Sequence, residues 1–104
     1  MSKQGPTSAD LLHRRIALVG EVSGLNAEAL KLTQALAGTE MEVLRLELEI
    51  ERGGAEQQLV QNLHEAEERA TAMRTRQRIC EDRIAGVEEA IAAIDRLLKE
   101  SAGR

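Results

Sequence analysis

Residues 46–63 read LELEIERGGAEQQLVQNL, with Gly53 and Gly54 side by side between two strings of apolar and charged residues. Two adjacent glycines inside one helix cost about 2 kcal/mol relative to alanine. Nothing else forbids helix as far back as Pro6 or as far forward as Ser101-Ala102-Gly103. The glycine pair is therefore the natural break between two helices, over about 9–51 and 55–100. Upstream, Thr7-Ser8-Ala9-Asp10 offers a hydroxyl cap followed by an acid, a helix-start signal. Residues 1–8, with Gly5 and Pro6, read as a flexible lead-in, and 101–104 as a flexible tail. Between them lies a single coiled-coil domain, 9–100.

Apolar spacing on either side of the glycines sets the architecture. Leu11, Arg15, Leu18, Val22, Leu25, Ala29, Leu32, Leu36, Thr39, Val43, Leu46 and Ile50 recur at alternating intervals of four and three. Leu59, Leu63, Ala66, Ala70, Met73, Gln77, Cys80, Ile84, Val87, Ile91, Ile94 and Leu98 do the same. Each series is a sustained a/d seam of a left-handed coiled coil. The register slips by one residue across the glycines, which one uninterrupted seam would not do.

Folding the chain back at the turn makes the seams meet. In antiparallel pairing a faces d, and paired residue numbers add to a constant. A constant of 109 sets Leu46 by Leu63, Leu36 by Met73, Leu32 by Gln77 and Ala29 by Cys80. It also sets Leu25 by Ile84, Val22 by Val87, Leu18 by Ile91 and Leu11 by Leu98. The flanking g positions agree in sign: Glu42 meets Arg69, and Glu28 meets Arg76 or Arg83. The e positions are less clean, because Glu40 and Glu47 lie near Glu67. Two unbroken rods crossing antiparallel at their glycines would make the same pairs between chains. The cost of a glycine pair in a straight helix favours the hairpin, and the expected fold is an all-α antiparallel coiled coil turning at Gly53-Gly54.

Off the seam lie Leu12, Ile16, Val19 and Leu30, with a small-residue track of Ala17, Gly20, Gly24 and Ala27. Leu97 and several alanines flank the second seam. A wide apolar stripe asks to be covered, so self-association into a helical bundle is expected through Leu12, Ile16, Val19, Leu30 and Leu97.

Composition narrows the function. The 104 residues include no Phe, Trp or Tyr, the side chains that usually fill globular cores and stack on bases or ligands. A net charge of −4 excludes a chain that is basic overall. The single cysteine, Cys80, rules out an internal disulfide framework and suits a reducing compartment. With no apolar run of membrane-spanning length and no signal-like N-terminus, the expected location is the cytoplasm.

Candidate chemistry is sparse. His13 and His64 fall at opposite ends of the hairpin and cannot share a site. His64 and Glu68 have the i,i+4 spacing of a ligand pair, without a third ligand. Cys80, at a d position, reads as a small core residue. No phosphate loop, acid–base pair or nucleophile triad occurs, so no catalysis, cofactor or metal is expected. The run 69–83 carries Arg69, Arg74, Arg76, Arg78 and Arg83 and is the one stretch that could meet nucleic acid or an acidic protein surface.

Gln77 at an a position is a register-setting polar residue. It resembles the central glutamine layer of SNARE helices, although Met73-Arg-Thr-Arg-Gln77-Arg-Ile-Cys80 departs from that family's pattern. Arg15, opposite Ile94, is placed to snorkel toward the open end. In outline the chain resembles the hairpin proteins exported by mycobacterial type VII secretion. Arg52-Gly53-Gly54 stands where that family has Trp-x-Gly, and the aromatic tail signal is missing. The expected function is a structural or scaffold module for oligomerisation or protein docking. The alternative is a small helical-hairpin adaptor, chaperone or secreted protein.

Overall fold

The computed structural model describes residues 5–103. The expectation of a flexible segment at residues 1–4 and at Arg104 lies outside the described residues. Two helices make up the fold: α1, Ser8–Gly53, and α2, Gln57–Ala102, each of 46 residues. They form an antiparallel coiled-coil hairpin.

Both ends of α1 are capped by local chemistry. The Thr7 hydroxyl accepts from the Asp10 amide at 3.1 Å, and the Asp10 carboxylate accepts from the Thr7 amide at 3.2 Å. This reciprocal capping box satisfies two amides that the first turn leaves open. The same contact holds the Asp10 carboxyl below its ordinary 3.8, the Thr7 amide being the main cause and the Thr7 hydroxyl the next. Helix α1 thus begins at Ser8, inside the segment that the sequence assigns to the lead-in.

The turn divides the labour of the two glycines. Gly53 is still helical, whereas Gly54 takes φ 91°. Its amide donates to the Ile50 carbonyl at 2.8 Å, the bond of a left-handed helix cap. Only at Gly54 is positive φ required, and only glycine adopts it without a Cβ clash. Ala55 and Glu56 complete the turn, with the Glu56 amide donating to the Gly54 carbonyl at 3.0 Å. Helix α2 therefore starts two residues later than position 55, and it runs on through Ser101 and Ala102, beyond the expected end at 100.

Two compact units divide the hairpin. One joins Met1–Ala27 to Glu81–Arg104, the open end; the other is Glu28–Cys80, which contains the turn. In the open end, Leu11, Leu25 and Ile94 are buried, while Leu18, Val22, Ile84, Val87 and Ile91 are half-buried. Ser8 Oγ lies 3.5 Å from Ser101 Oγ. In the turn unit, Leu32, Leu36, Leu46, Ala66, Ala70 and Cys80 are buried, and Met73 and Gln77 are half-buried. Leu46 is 1 % exposed and Ala66 fully covered. Every a and d position of both helices is buried or half-buried, as burial on a narrow two-helix seam requires.

Candidate docking surfaces

Polar side chains decorate the seam and fix how it can be used. Thr39 occupies a d position at 8 % exposure. Its hydroxyl donates to the Ala35 carbonyl at 3.0 Å and sits 3.6 Å from the Met73 sulfur. A buried hydroxyl is thereby satisfied inside its own helix. Gln77 does not bury its amide against Leu32. Its Nε2 turns to the rim and donates to Thr33 Oγ1 at 3.0 Å, a bond that links α2 to an e position of α1.

Arg15 likewise does more than snorkel. Its Nε donates to Asp95 Oδ1 at 2.6 Å and its Nη2 to Oδ2 at 3.4 Å, a two-pronged ion pair between the helices of the open end. Hydrogen bonding, then charge, raises the Arg15 pKa, and the Arg15 hydrogen bond holds the Asp95 carboxyl below its usual range.

In the turn unit, Arg69 Nη2 reaches Glu42 Oε2 at 3.0 Å, the g–g pair that the charge pattern demands. Glu28 makes no ion pair with Arg76. Glu40 escapes Glu67 by pairing with Arg74 at 3.0 Å, one heptad farther along α2. Arginine length explains this: the guanidinium reaches past the nearest layer, which counting letters of the heptad does not capture. Two of the arginines in 69–83 are thus occupied by α1 glutamates, while Arg76, Arg78 and Arg83 are exposed and make no ion pair among the described residues.

The remaining chemistry is confined to the surface. His64 Nε2 lies 2.6 Å from Glu68 Oε1, both side chains exposed. Among the described residues no group of three or more His, Cys, Asp or Glu side chains could hold a metal ion. Cys80 is buried, at 3 % exposure, and is not part of a disulfide. A groove of about 510 Å³ runs along the turn unit between Glu40, Val43 and Leu44 of α1 and Glu67, Ala70, Thr71 and Arg74 of α2. The Glu40–Arg74 pair spans it.

Large apolar side chains stand on the outer surface. In the open end these are Leu12, Ile16, Val19 and Leu97, at 49, 69, 39 and 46 % exposure. They do not form one patch. Leu12 and Val19 occupy e positions of α1, whereas Leu97 sits at a g position of α2, beside Leu11, Pro6 and Glu100. In an antiparallel pair e flanks e and g flanks g, so these residues lie on opposite sides of the seam. Nothing lies within 4 Å of where a Cβ would stand on Gly20, Gly24 or Gly86, so no close approach within the chain requires glycine at these positions.

In the turn unit Leu30 is 59 % exposed, and it is joined on α1 by Met41, Leu44 and Leu48 at 69, 57 and 51 %. The seam spacing does not single out these last three. Their own three- and four-residue intervals are the signal that marks them, masked because the a/d series beside it is stronger. No protein-family model matches the chain, and neither a curated protein nor a solved structure is detectably similar to it. Fold and surface define its class: an antiparallel coiled-coil hairpin with apolar residues left on its outer faces. No helix among the described residues is long and apolar enough to cross a membrane.

Proposed function

We propose that the chain is a non-enzymatic scaffold module that uses its outer helix faces for oligomerisation or protein–protein docking. The observation that carries this reading is the ten large apolar side chains that stay exposed among the described residues after the two helices have consumed each other's seams. Scattered single apolar residues are ordinary on a protein surface, but rows at helical spacing serve association. Leu12, Ile16 and Val19 follow such a row in the open end, and Leu30 and Leu97 add apolar surface elsewhere.

The shape of the buried seam speaks for the same role. A two-helix seam offers shallow grooves in place of an enclosed pocket, and substrate chemistry requires convergent groups in a water-poor cavity. Cytoplasmic location and a protein partner, including a second copy, accord with a cysteine outside any disulfide and with a sequence that lacks aromatic stacking groups. A nucleic-acid or acidic partner has a narrower footing in Arg76, Arg78 and Arg83, since Arg69 and Arg74 are engaged within the chain. Sedimentation over a concentration series tests the reading. Association below about 1 mM is expected; a protein that stays monomeric through that range and binds no partner overturns it.

A further inference from the structure

The turn unit carries a second seam on α1. Leu30, Gln34, Ala37, Met41, Leu44 and Leu48 follow one another at alternating intervals of four and three, and all six are exposed. They occupy the b and f positions of the buried heptad. At 100° per residue these lie roughly 150° around α1 from the a/d line, so α2 does not obstruct them. Four of the six are large apolar side chains at 51–69 % exposure.

Charges on the two edges of this stripe are of opposite sign. Along the e edge stand Glu40 and Glu47; along the c edge stand Lys31, Arg45 and Arg52. Glu47 and Arg52 make no ion pair among the described residues, while Arg45 holds an exposed pair with Glu49 and Glu40 one with Arg74. Exposed pairs of this kind contribute about 0.2–1 kcal/mol and exchange readily.

These edges determine which second helix fits. When two copies pack in parallel through this stripe, each edge meets the opposite edge of its neighbour, five residues on. Glu40 then faces Arg45 of the other copy, and Glu47 faces Arg52. An antiparallel pairing that sets Met41 against Leu44 brings like edges together, Glu47 against Glu40 and Arg52 against Lys31. Complementary edge charges set coiled-coil orientation.

We infer that the exposed stripe of the turn unit is a homotypic interface, on which a second copy of this chain packs its α1 in parallel. This rests on the scaffold reading and names its partner and geometry. Parallel pairing sets each stripe residue beside its own counterpart, with Met41 against Met41, Leu44 against Leu44 and Leu48 against Leu48. The polar Gln34 falls against Gln34, the device that commonly holds a parallel pair in register.

Three measurements on the full chain test this. Leu44→Glu, on an exposed surface, is expected to weaken association at least about tenfold while circular dichroism shows the helices retained. Glu47→Arg is expected to weaken it by about two- to fivefold, and adding Arg52→Glu to restore it. In an antiparallel pair Glu47→Arg would instead strengthen association, because the substituted side chain would meet Glu40. On a Cys80→Ala background, Met41→Cys and Leu44→Cys should each cross-link to itself. Cross-linking only when the two variants are mixed overturns the parallel geometry. Association that survives Leu44→Glu but is lost in Ile16→Glu overturns this interface and leaves the scaffold reading standing. A protein monomeric at all concentrations overturns this inference too.

Discussion

The turn unit and the open end are built on one heptad pattern, yet they bury it differently. Among the described residues, seven of the ten that are buried belong to Glu28–Cys80, and only Leu11, Leu25 and Ile94 to the other unit. The side chains in the layers explain the contrast. In the turn unit Ala66 and Ala70 stand across from Val43 and Thr39, and small side chains let backbones approach and cover neighbours such as Leu46. The open end sets Leu18, Val22 and Leu25 against Ile91, Val87 and Ile84, large against large, and includes Arg15. Of these six only Leu25 is buried; Leu18, Val22, Ile84, Val87 and Ile91 stay half-buried. Small residues in a layer thus add to the cover of its neighbours, beyond what position in the repeat provides.

Breaking the tighter layer has the largest expected effect. Leu46→Ala removes a side chain that is 1 % exposed and should cost about 2–5 kcal/mol in urea unfolding. Leu18→Ala, half-buried in the open end, should cost markedly less. Equal losses would mean that the two units are packed alike.

A subtler contrast lies within the turn. Gly54→Ala forces a Cβ into φ 91° and should destabilise by about 1–2 kcal/mol. Gly53→Ala has the opposite sign: its Cβ meets nothing within 4 Å, the residue is helical, and a gain of about 0.5 kcal/mol is expected. Thermal unfolding of the two variants reads both signs directly.

Acid sharpens the comparison from the other side, with the smallest effect. Asp10 and Asp95, both in the open end, have carboxyls held below their ordinary 3.8, by Thr7 and by Arg15 respectively. The stabilisation they provide is complete above the unfolded value and is lost as pH falls through the lower folded value. Melting temperature should therefore decline below about pH 4. Asp95→Asn should flatten part of that decline, and a profile unchanged by the substitution would assign no linkage to this ion pair.

How much of this is legible in the sequence depends on the range of the interaction. The seam and the fold-back follow from apolar periodicity and a glycine pair, properties that single residue types carry. Which glycine turns is not legible, because both tolerate any φ and only the closing bond to Ile50 selects Gly54. The pairing of Glu40 with Arg74, of Arg15 with Asp95 and of Gln77 with Thr33 depends on side-chain reach across a rim, which heptad letters do not encode. The row at Met41, Leu44 and Leu48 is present in the letters but overshadowed, since a helix with two apolar lines shows only the stronger as a clean repeat. The scatter of Leu12, Val19 and Leu97 to opposite flanks follows from antiparallel geometry once the fold is in hand.

The hairpin connection also orders events in time. Glu42 and Arg69 are separated by 27 residues of chain, Thr33 and Gln77 by 44, Arg15 and Asp95 by 80, and Ser8 and Ser101 by 93. Closing the longest of these loops directly costs about 1 kcal/mol more than closing the shortest, so contacts near Gly54 are expected to form before those at the chain ends. Changes beside the turn should consequently slow folding, while those near the chain ends should hasten unfolding, as stopped-flow refolding and unfolding rates would show.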